Sequence, residues 1–462
     1  MTTNKSLLFA LEKLLAIPLS NQKTVAKWLV MAALSVTASA EAADLLETYH
    51  AAQSQDAVIA AARATQRAGQ EKLAQGRSLL LPSVSLSANS TYNDSLTQYK
   101  GNFLFPSGTN RYNSSGYGVN LVQPLYRQQN WVVYSESELQ VLQSDAQFKS
   151  TEQDLILRVA QAYFDILMAQ DNVQLAEAQK IAISEQLEQA KRNFEVGTST
   201  ITDTYEAQAR HDLTSAQEIA AQNNLEIKKR TLQQLTNAMP AGLRQLGQQF
   251  KPEMPQTSDM EKWVDEAQQR NLQLVVAQAA AELAEKEVVR NHAGHYPTLD
   301  LVANYSQNYS DGGNYGVGSD NRTTAIGVQL NVPLYQGGAI QSGLREAEAS
   351  RDRAREELEN VRRNVALQVR QAYLGVVDGI AQVKALQQAL KSSESVLEAS
   401  KLGQEVGVRT NLDVLNAQQQ LYSTRRDLYQ AEYSYLVSQL RLKAAAGTLD
   451  EDDLTKVNRA LY

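Results

Sequence analysis

A stretch of about 70 residues without proline or glycine, from 127 to 196, constrains the fold more than any other feature of the sequence. Since an α-helix rises about 1.5 Å per residue, this stretch predicts a helix about 105 Å long. Its apolar residues recur at alternating spacings of four and three, broken only by Lys180: Leu155, Val159, Ala162, Ile166, Ala169, Val173, Ala176, Ile183, Leu187, Ala190 and Phe194. A second stripe contains Val365, Val369, Ala372, Val376, Gly379, Val383, Leu386, Leu390 and Leu397. This sustained repeat predicts coiled coils rather than a compact helical bundle.

The two stripes belong to an internal duplication. Residues 405–421, EVGVRTNLDVLNAQQQL, match residues 195–211, EVGTSTITDTYEAQARH, at seven of seventeen positions, where composition alone would give roughly one match. Gln-Pro-Leu-Tyr at 123 likewise corresponds to Val-Pro-Leu-Tyr at 332. We therefore predict a first structural repeat at 43–238 and a second at 260–447, divided by 239–259 and followed by a C-terminal segment at 448–462.

The matched segments predict two helical hairpin tips. Gly197 and Gly407 follow the long helical runs, where a left-handed glycine commonly ends a helix. Thr200 and Thr410 precede Asp203 and Asp413 by three residues, the spacing of an N-cap and an acidic N3 residue. We therefore expect a turn at each glycine and a second helix after it, about 203–237 and 413–446. Other helical runs precede the strands, at about 44–80 and 260–293.

Four segments alternate apolar and polar residues over about ten positions, which is typical of strands with one apolar and one wet face. We predict strands at about 83–93, 112–126, 297–310 and 322–335, with long polar loops inside each pair. An outer-membrane strand needs about 9–11 residues, although an ordinary half-buried sheet shows the same pattern. Four strands cannot close a barrel, so strands in a membrane would require several chains to share one.

The N-terminus predicts export. Four lysines precede the apolar run WLVMAALSV at 28–36, which is too short to span a bilayer as a helix. Ala38-Ser39-Ala40 and Ala40-Glu41-Ala42 both fit the small-x-small cleavage pattern. We interpret 1–42 as a cleaved signal peptide, with an uncleaved anchor as the alternative.

Composition and motifs exclude several function classes. The chain has no cysteine, which rules out disulfides, thiolate metal sites and cysteine nucleophiles. Its net charge of −7 argues against nucleic-acid binding. It contains no catalytic triad order, HExxH, Walker loop or GxSxG, so we expect no enzyme activity and no cofactor. His292 and His295 have a spacing that can seat a metal, but they directly precede a strand, and we expect no metal site.

Four segments carry a resemblance to the TolC family of outer-membrane factors, which serve type I secretion and multidrug efflux. They are GHYPTLDL (294–301), NVPLYQGG (331–338), EVGVRTNLDVLNAQQQLY (405–422) and LKAAAGTLDEDDL (442–454). The resemblance implies a fold that is mainly α with a transmembrane β part, in a homotrimer. Each chain would give four strands to a shared twelve-stranded barrel, and the helices would form a coiled-coil periplasmic tunnel.

The resemblance also implies a function and partners. The trimer would be an exit duct in the outer membrane that joins an inner-membrane ABC, RND or MFS transporter and a periplasmic adaptor, the membrane fusion protein. Its contacts would be these proteins and outer-membrane lipid. The substrate (a drug, another small molecule or a protein) would be chosen largely by the transporter. The alternatives are a periplasmic coiled-coil scaffold and a general porin, although porins have many strands and few helices.

By the same resemblance, the tunnel closes at the hairpin tips. Arg409 corresponds to a family arginine that links to a Thr-Asp pair, here Thr202 and Asp203, and Asp413 to an acidic residue of the constriction. Two positions depart from the best-known pattern: Asn416 replaces a second aspartate, and Gln404 replaces a tyrosine. We therefore expect an acidic ring of three carboxylates rather than six. The tips, where an adaptor would dock, comprise Val196, Gly197, Thr198, Val406, Gly407 and Val408.

Overall fold

Helices and strands follow one another in the same order in both halves of the chain. The computed structural model describes residues 43–98, 100, 107–240, 242–247, 250–255, 257–313 and 317–461. The predicted signal peptide lies outside this range. In chain order the elements are α1 (Leu45–Gln55), α2 (Ala57–Ser78), β1 (Ser83–Thr97), β2 (Gly108–Tyr126), α3 (Gln128–Glu195), α4 (Ile201–Thr236), α5 (Met260–Arg270), α6 (Leu272–His292), β3 (Thr298–Ser310), β4 (Ser319–Asn331), α7 (Ala339–Glu405), α8 (Asn411–Ala446) and α9 (Glu451–Asn458).

The long helices form as the apolar stripes predict. Helix α3 has 68 residues and α7 has 67, so each is about 100 Å long. Most stripe residues in α3 are buried, whereas Phe194 near the tip is exposed. The main apolar core combines α3, α7 and α8 with the short helices α1, α5 and α9, which pack beside the middle of the long ones. The fold is therefore an elongated helical assembly whose core lies between the strands and the tips.

Two predicted helices are each interrupted, which corrects the continuous runs expected at 44–80 and 260–293. The breaks fall at Asp56 and Asn271, whose backbones are extended with ψ of 123° and 124°. Each side chain caps the following helix by accepting a hydrogen bond from the backbone N–H of Ile59 (2.9 Å) or Leu274 (3.1 Å). Asn271 also donates to the carbonyl of Ala445 at 2.8 Å, so α8 contacts one of these breaks.

The four strands form one antiparallel sheet in the order β1-β2-β3-β4. Strand β2 of the first repeat pairs with β3 of the second, for example Val119 with Tyr305, and so joins the two halves. Strands β1, β2 and β4 extend further into the loops than predicted. Strand β4 ends at Asn331 rather than near 335, because Pro333 has no N–H for the ladder.

The sheet leaves apolar side chains uncovered. Leu86 on β1 is 73% exposed and Ile326 on β4 is 76% exposed. Among the described strands, β1 and β4 each pair with a single neighbour, so both outer edges are open. Such edges and apolar faces need partners. No helix within the described part of the chain is both long and apolar enough to cross a bilayer.

Candidate functional site

The end of the molecule opposite the sheet consists of two hairpin tips with matching backbones. Gly197 and Gly407 are left-handed, with φ of 76° and 77°, as the sequence predicts. The N–H of Thr198 donates to the carbonyl of Asn193 at 2.8 Å, and that of Val408 to Gly403 at 2.9 Å. These bonds satisfy carbonyls at the ends of α3 and α7. The apolar tip residues Val196, Val406 and Val408 are exposed.

The return helices begin with the predicted capping pairs. Asp413 Oδ2 accepts from the N–H of Thr410 at 2.8 Å, and the N–H of Asp413 donates to Thr410 Oγ1 at 3.2 Å. Thr200 and Asp203 make the same reciprocal pair at the start of α4. Hydrogen bonds from the Thr410 N–H and hydroxyl, with a smaller contribution from Arg409, lower the pKa of the Asp413 carboxyl. Asp413 is therefore held in its ionised form.

The remaining predicted gate residues lie around these caps. Arg409 Nη1 lies 3.8 Å from Asp413 Oδ1, one turn along the same hairpin. Gln404 donates to Asn411 Oδ1 at 3.3 Å, so it contacts its own hairpin. Thr202 is exposed on the first hairpin. The predicted link from Arg409 to Thr202 and Asp203 is not among the hydrogen bonds and ion pairs of the described residues, and it stays a prediction.

The two hairpins of one chain meet just behind the tips, in contacts that the sequence reasoning missed. Leu415 of α8 is buried in a small apolar cluster with Ile183, Leu187, Ala190 and Ala207 of the first hairpin. Asn416, the residue after Leu415, accepts a hydrogen bond at 3.0 Å from Arg210 Nη2 of α4. The duplication gives one sequence signal for this contact. Position 420 of the second repeat corresponds to Arg210 and is a neutral glutamine, so the arginine is specific to the first repeat.

A second cluster, farther along α8 from the tip, was also missed because its members are far apart in sequence. The hydroxyl of Tyr433 on α8 donates to Asp171 Oδ2 on α3 at 2.6 Å. Burial raises the pKa of the Glu432 carboxyl from 4.5 to about 7. A hydrogen bond from Gln387 of α7 lowers this pKa, and the charge of Asp171 raises it further. Burial also raises the pKa of Asp171. Two partly buried carboxyls thus lie in the seam between three long helices.

Replacing Glu432 with glutamine should make the protein more stable at pH 8 but not at pH 5. Because the folded-state pKa of Glu432 is raised, its protonated form contributes stability at low pH, and that contribution is lost as pH rises through about 7. Glu432→Gln should therefore gain about 1–2 kcal/mol at pH 8, allowing for partial exposure. Chemical denaturation followed by circular dichroism at both pH values measures the difference.

The matched control for this pH effect is Asp427→Asn on the same helix. Asp427 is exposed and lies beside Arg426, 3.1 Å away. Its replacement should change stability little at either pH, because exposed ion pairs contribute about 0–1 kcal/mol. A stabilisation by Glu432→Gln that is equal at pH 5 and pH 8 would contradict the proposed burial of a titrating carboxyl.

No group of three or more His, Asp or Glu side chains within the described ranges could hold a metal ion. His292 and His295 have ring centroids 6.2 Å apart, and the His292 ring lies edge-on to Tyr296 at 5.5 Å. These two histidines therefore take part in aromatic contacts just before β3.

Comparison with known proteins gives one consistent result. The family model "Outer membrane efflux protein" matches residues 48–238 and 263–448. The chain is 36% identical over 435 residues to the outer membrane protein TolC of Vibrio cholerae serotype O1, covering 94% of this chain and 97% of that protein. It is 31% identical over 423 residues to the proteases secretion protein PrtF of Dickeya chrysanthemi, covering 91% of each.

Solved channel structures share the fold at lower identity. The outer membrane protein VceC of Vibrio cholerae superposes with a TM-score of 0.74 at 20% identity, covering 87% of this chain and 96% of that one. The CmeC outer membrane channel of Campylobacter jejuni gives a TM-score of 0.75 at 18% identity, covering 90% and 89%. The predicted TolC-like fold is thereby confirmed.

Proposed function

Because the chain belongs to the outer membrane efflux protein family, we propose that it is an exit duct, gated at its helix tips, for substrates delivered by an inner-membrane transporter. The chain is an outer membrane channel protein of the efflux and secretion type and not an enzyme. A periplasmic adaptor would join the duct to an ABC, RND or MFS transporter. The substrates would be drugs, other small molecules or proteins. PrtF, a relative, is named for the secretion of proteases.

The observation that carries this proposal is the uncovered four-stranded sheet at one end of helices about 100 Å long. Its open edges would leave backbone groups unpaired in lipid at several kcal/mol each. A homotrimer removes the open edges if β1 of one chain pairs with β4 of the next. The resulting barrel has twelve strands and a lumen wide enough for transport. The long helices would then form a tunnel through the periplasm.

The gate in this proposal is the ring of hairpin tips. Three Asp413 carboxylates near the axis repel one another and attract cations, so the closed state needs tethers. Arg409 supplies a guanidinium beside Asp413, and an arginine can bridge a carboxylate and a neighbouring hydroxyl. The candidate tether partners of Arg409 are Thr202 and Asp203, with Gln404 and Asn416 beside the constriction. An adaptor that docks on the exposed tips Val196, Gly197, Thr198, Val406, Gly407 and Val408 would separate these residues.

Single-channel recording in planar bilayers tests the proposal. We expect small, cation-preferring events from the wild type and larger ones from Arg409→Ser, since the mutation removes a tether and leaves the carboxylates. Arg426→Ser on α8, the helix that follows Arg409, is the matched control, because Arg426 pairs with Asp427 away from the tip, and it should behave like the wild type.

The outcomes test the duct and its gate separately. Pores from wild type and Arg409→Ser that conduct equally would leave the duct standing and reject Arg409 as a tether. If neither protein forms pores, the duct proposal fails and a periplasmic scaffold becomes the better interpretation.

A further inference from the structure

Arg210 of α4 forms a polar bridge near the tips between the two hairpins of one chain. Its Nη2 donates to Asn416 Oδ1 at 3.0 Å, and its Nη1 donates to Gln419 Oε1. Both acceptors lie on α8, three residues apart and therefore on one face of that helix. In the part of the chain that the structure describes, these are the hydrogen bonds that connect α4 with α8. A forked guanidinium is suited to hold two acceptors at once.

The bridge lies beside an apolar contact between the same hairpins. Leu415 is adjacent to Asn416 and is buried against Ala207, which lies one turn before Arg210 on α4. The hairpins can therefore move apart only if both the apolar contact and the two hydrogen bonds break. An apolar contact tolerates sliding, whereas hydrogen bonds from a planar guanidinium are directional. Arg210 thus fixes the register of the two hairpins.

Arg210 also changes the charge near the tips. Asp413 and Asn416 are three residues apart on α8 and share a face, about one helical turn from each other. Asn416 is neutral, so the charge in the Arg210–Asn416 pair is positive. No ion pair of Arg210 within 4.0 Å occurs among the described residues, and both of its hydrogen-bond partners on α8 are neutral amides. Each chain therefore carries one cation one turn behind its Asp413 carboxylate.

We infer that Arg210 is a gating residue that latches the two hairpins of one protomer together and weakens the cation preference of the constriction. This inference rests on the proposed duct function and extends it to a residue outside the tips. In a trimer, three guanidinium groups would oppose the three Asp413 carboxylates. The neutral amide at 416 keeps the latch weak enough to open, because an aspartate there would make a charge-assisted bond to Arg210.

The test compares single-channel conductance and the reversal potential in a KCl gradient for four proteins: wild type, Arg210→Gln, Asn416→Asp and Arg230→Gln. Arg210→Gln removes the charge and the fork but keeps a polar side chain, so we expect an open probability roughly three- to tenfold higher and a stronger cation preference. Asn416→Asp should lower the open probability, because the added carboxylate lies within hydrogen-bond distance of the Arg210 guanidinium, which neutralises it and turns the latch into an ion pair. Arg230→Gln is the control, since Arg230 lies at the far end of α4 and contacts Glu226 and Gln233 of its own helix.

The outcomes are distinguishable from those of the duct proposal. If Arg409→Ser enlarges the events while Arg210→Gln matches the wild type in both opening and reversal potential, the inference is overturned and the duct stands. A change in both Arg210→Gln and Arg230→Gln would also overturn it, because the effect would then follow the net charge of α4. Opposite effects of Arg210→Gln and Asn416→Asp on opening, at equal trimer content and circular dichroism, support the latch.

Discussion

Gly447→Ala should destabilise the protein far more than an alanine at either hairpin tip. Gly447 ends α8 in the left-handed region, with φ of 75°. A Cβ at this position would lie 2.3 Å from the carbonyl oxygen of Arg270 and 2.7 Å from Cα of Asn271. Both neighbours are backbone atoms at the break between α5 and α6, so neither can move without displacing a helix. We expect a loss of roughly 2–5 kcal/mol, from the strained φ and the steric overlap together.

Gly407→Ala is the matched control for the steric part of this effect. Gly407 has almost the same φ, 77°, but no heavy atom lies within 4 Å of the position of an added Cβ. Its replacement should cost about 1–2 kcal/mol, the strain of a left-handed alanine alone. Chemical denaturation followed by circular dichroism measures both variants. Equal losses at 447 and 407 would show that the contact with Arg270 does not constrain α8.

Arg127→Met should cost about 2–4 kcal/mol, because it leaves a buried carboxylate unpaired where β2 passes into α3. Arg127 Nε lies 2.8 Å from Asp300 Oδ1 and Nη2 lies 2.5 Å from Oδ2, a bidentate pair. The Asp300 side chain is only 10% exposed. Asp300 lies near the start of β3, so the pair joins the first repeat to the second beside the sheet. The loss of stability can be measured by chemical denaturation followed through the helical circular dichroism signal.

Arg370→Met tests whether burial, rather than fork geometry, causes that loss. Arg370 makes the same bidentate contact with Glu261, at 3.1 and 2.9 Å, but both side chains are about half exposed. We expect little change in stability there, because exposed ion pairs are well screened by solvent. Removing both charges, in Arg127→Met with Asp300→Met, should restore much of the stability. Similar losses at Arg127 and Arg370 would refute the role of burial.

Interactions over a few residues were predictable from the sequence. The capping pair of Thr410 and Asp413 and the left-handed Gly407 involve groups within one turn of each other. The long helices α3 and α7 follow from apolar spacing and the lack of helix-breaking residues. The strands were predictable as elements, because period-two alternation depends only on neighbouring positions. The predicted gate role of Arg409 came from family resemblance and stays a prediction.

Tertiary structure alone decided the contacts between distant segments. The sequence determined the duplicated helices, the four strands and the two hairpin tips, because each depends on local backbone preferences and a short apolar period. The packing decided that β2 pairs with β3, that Asp56 and Asn271 break their helices, and that Arg210 reaches Asn416. It also decided that Glu432 is partly buried near Asp171, which raises the pKa of its carboxyl. These features join residues far apart in the chain, and their energies exist only once the long helices are packed side by side.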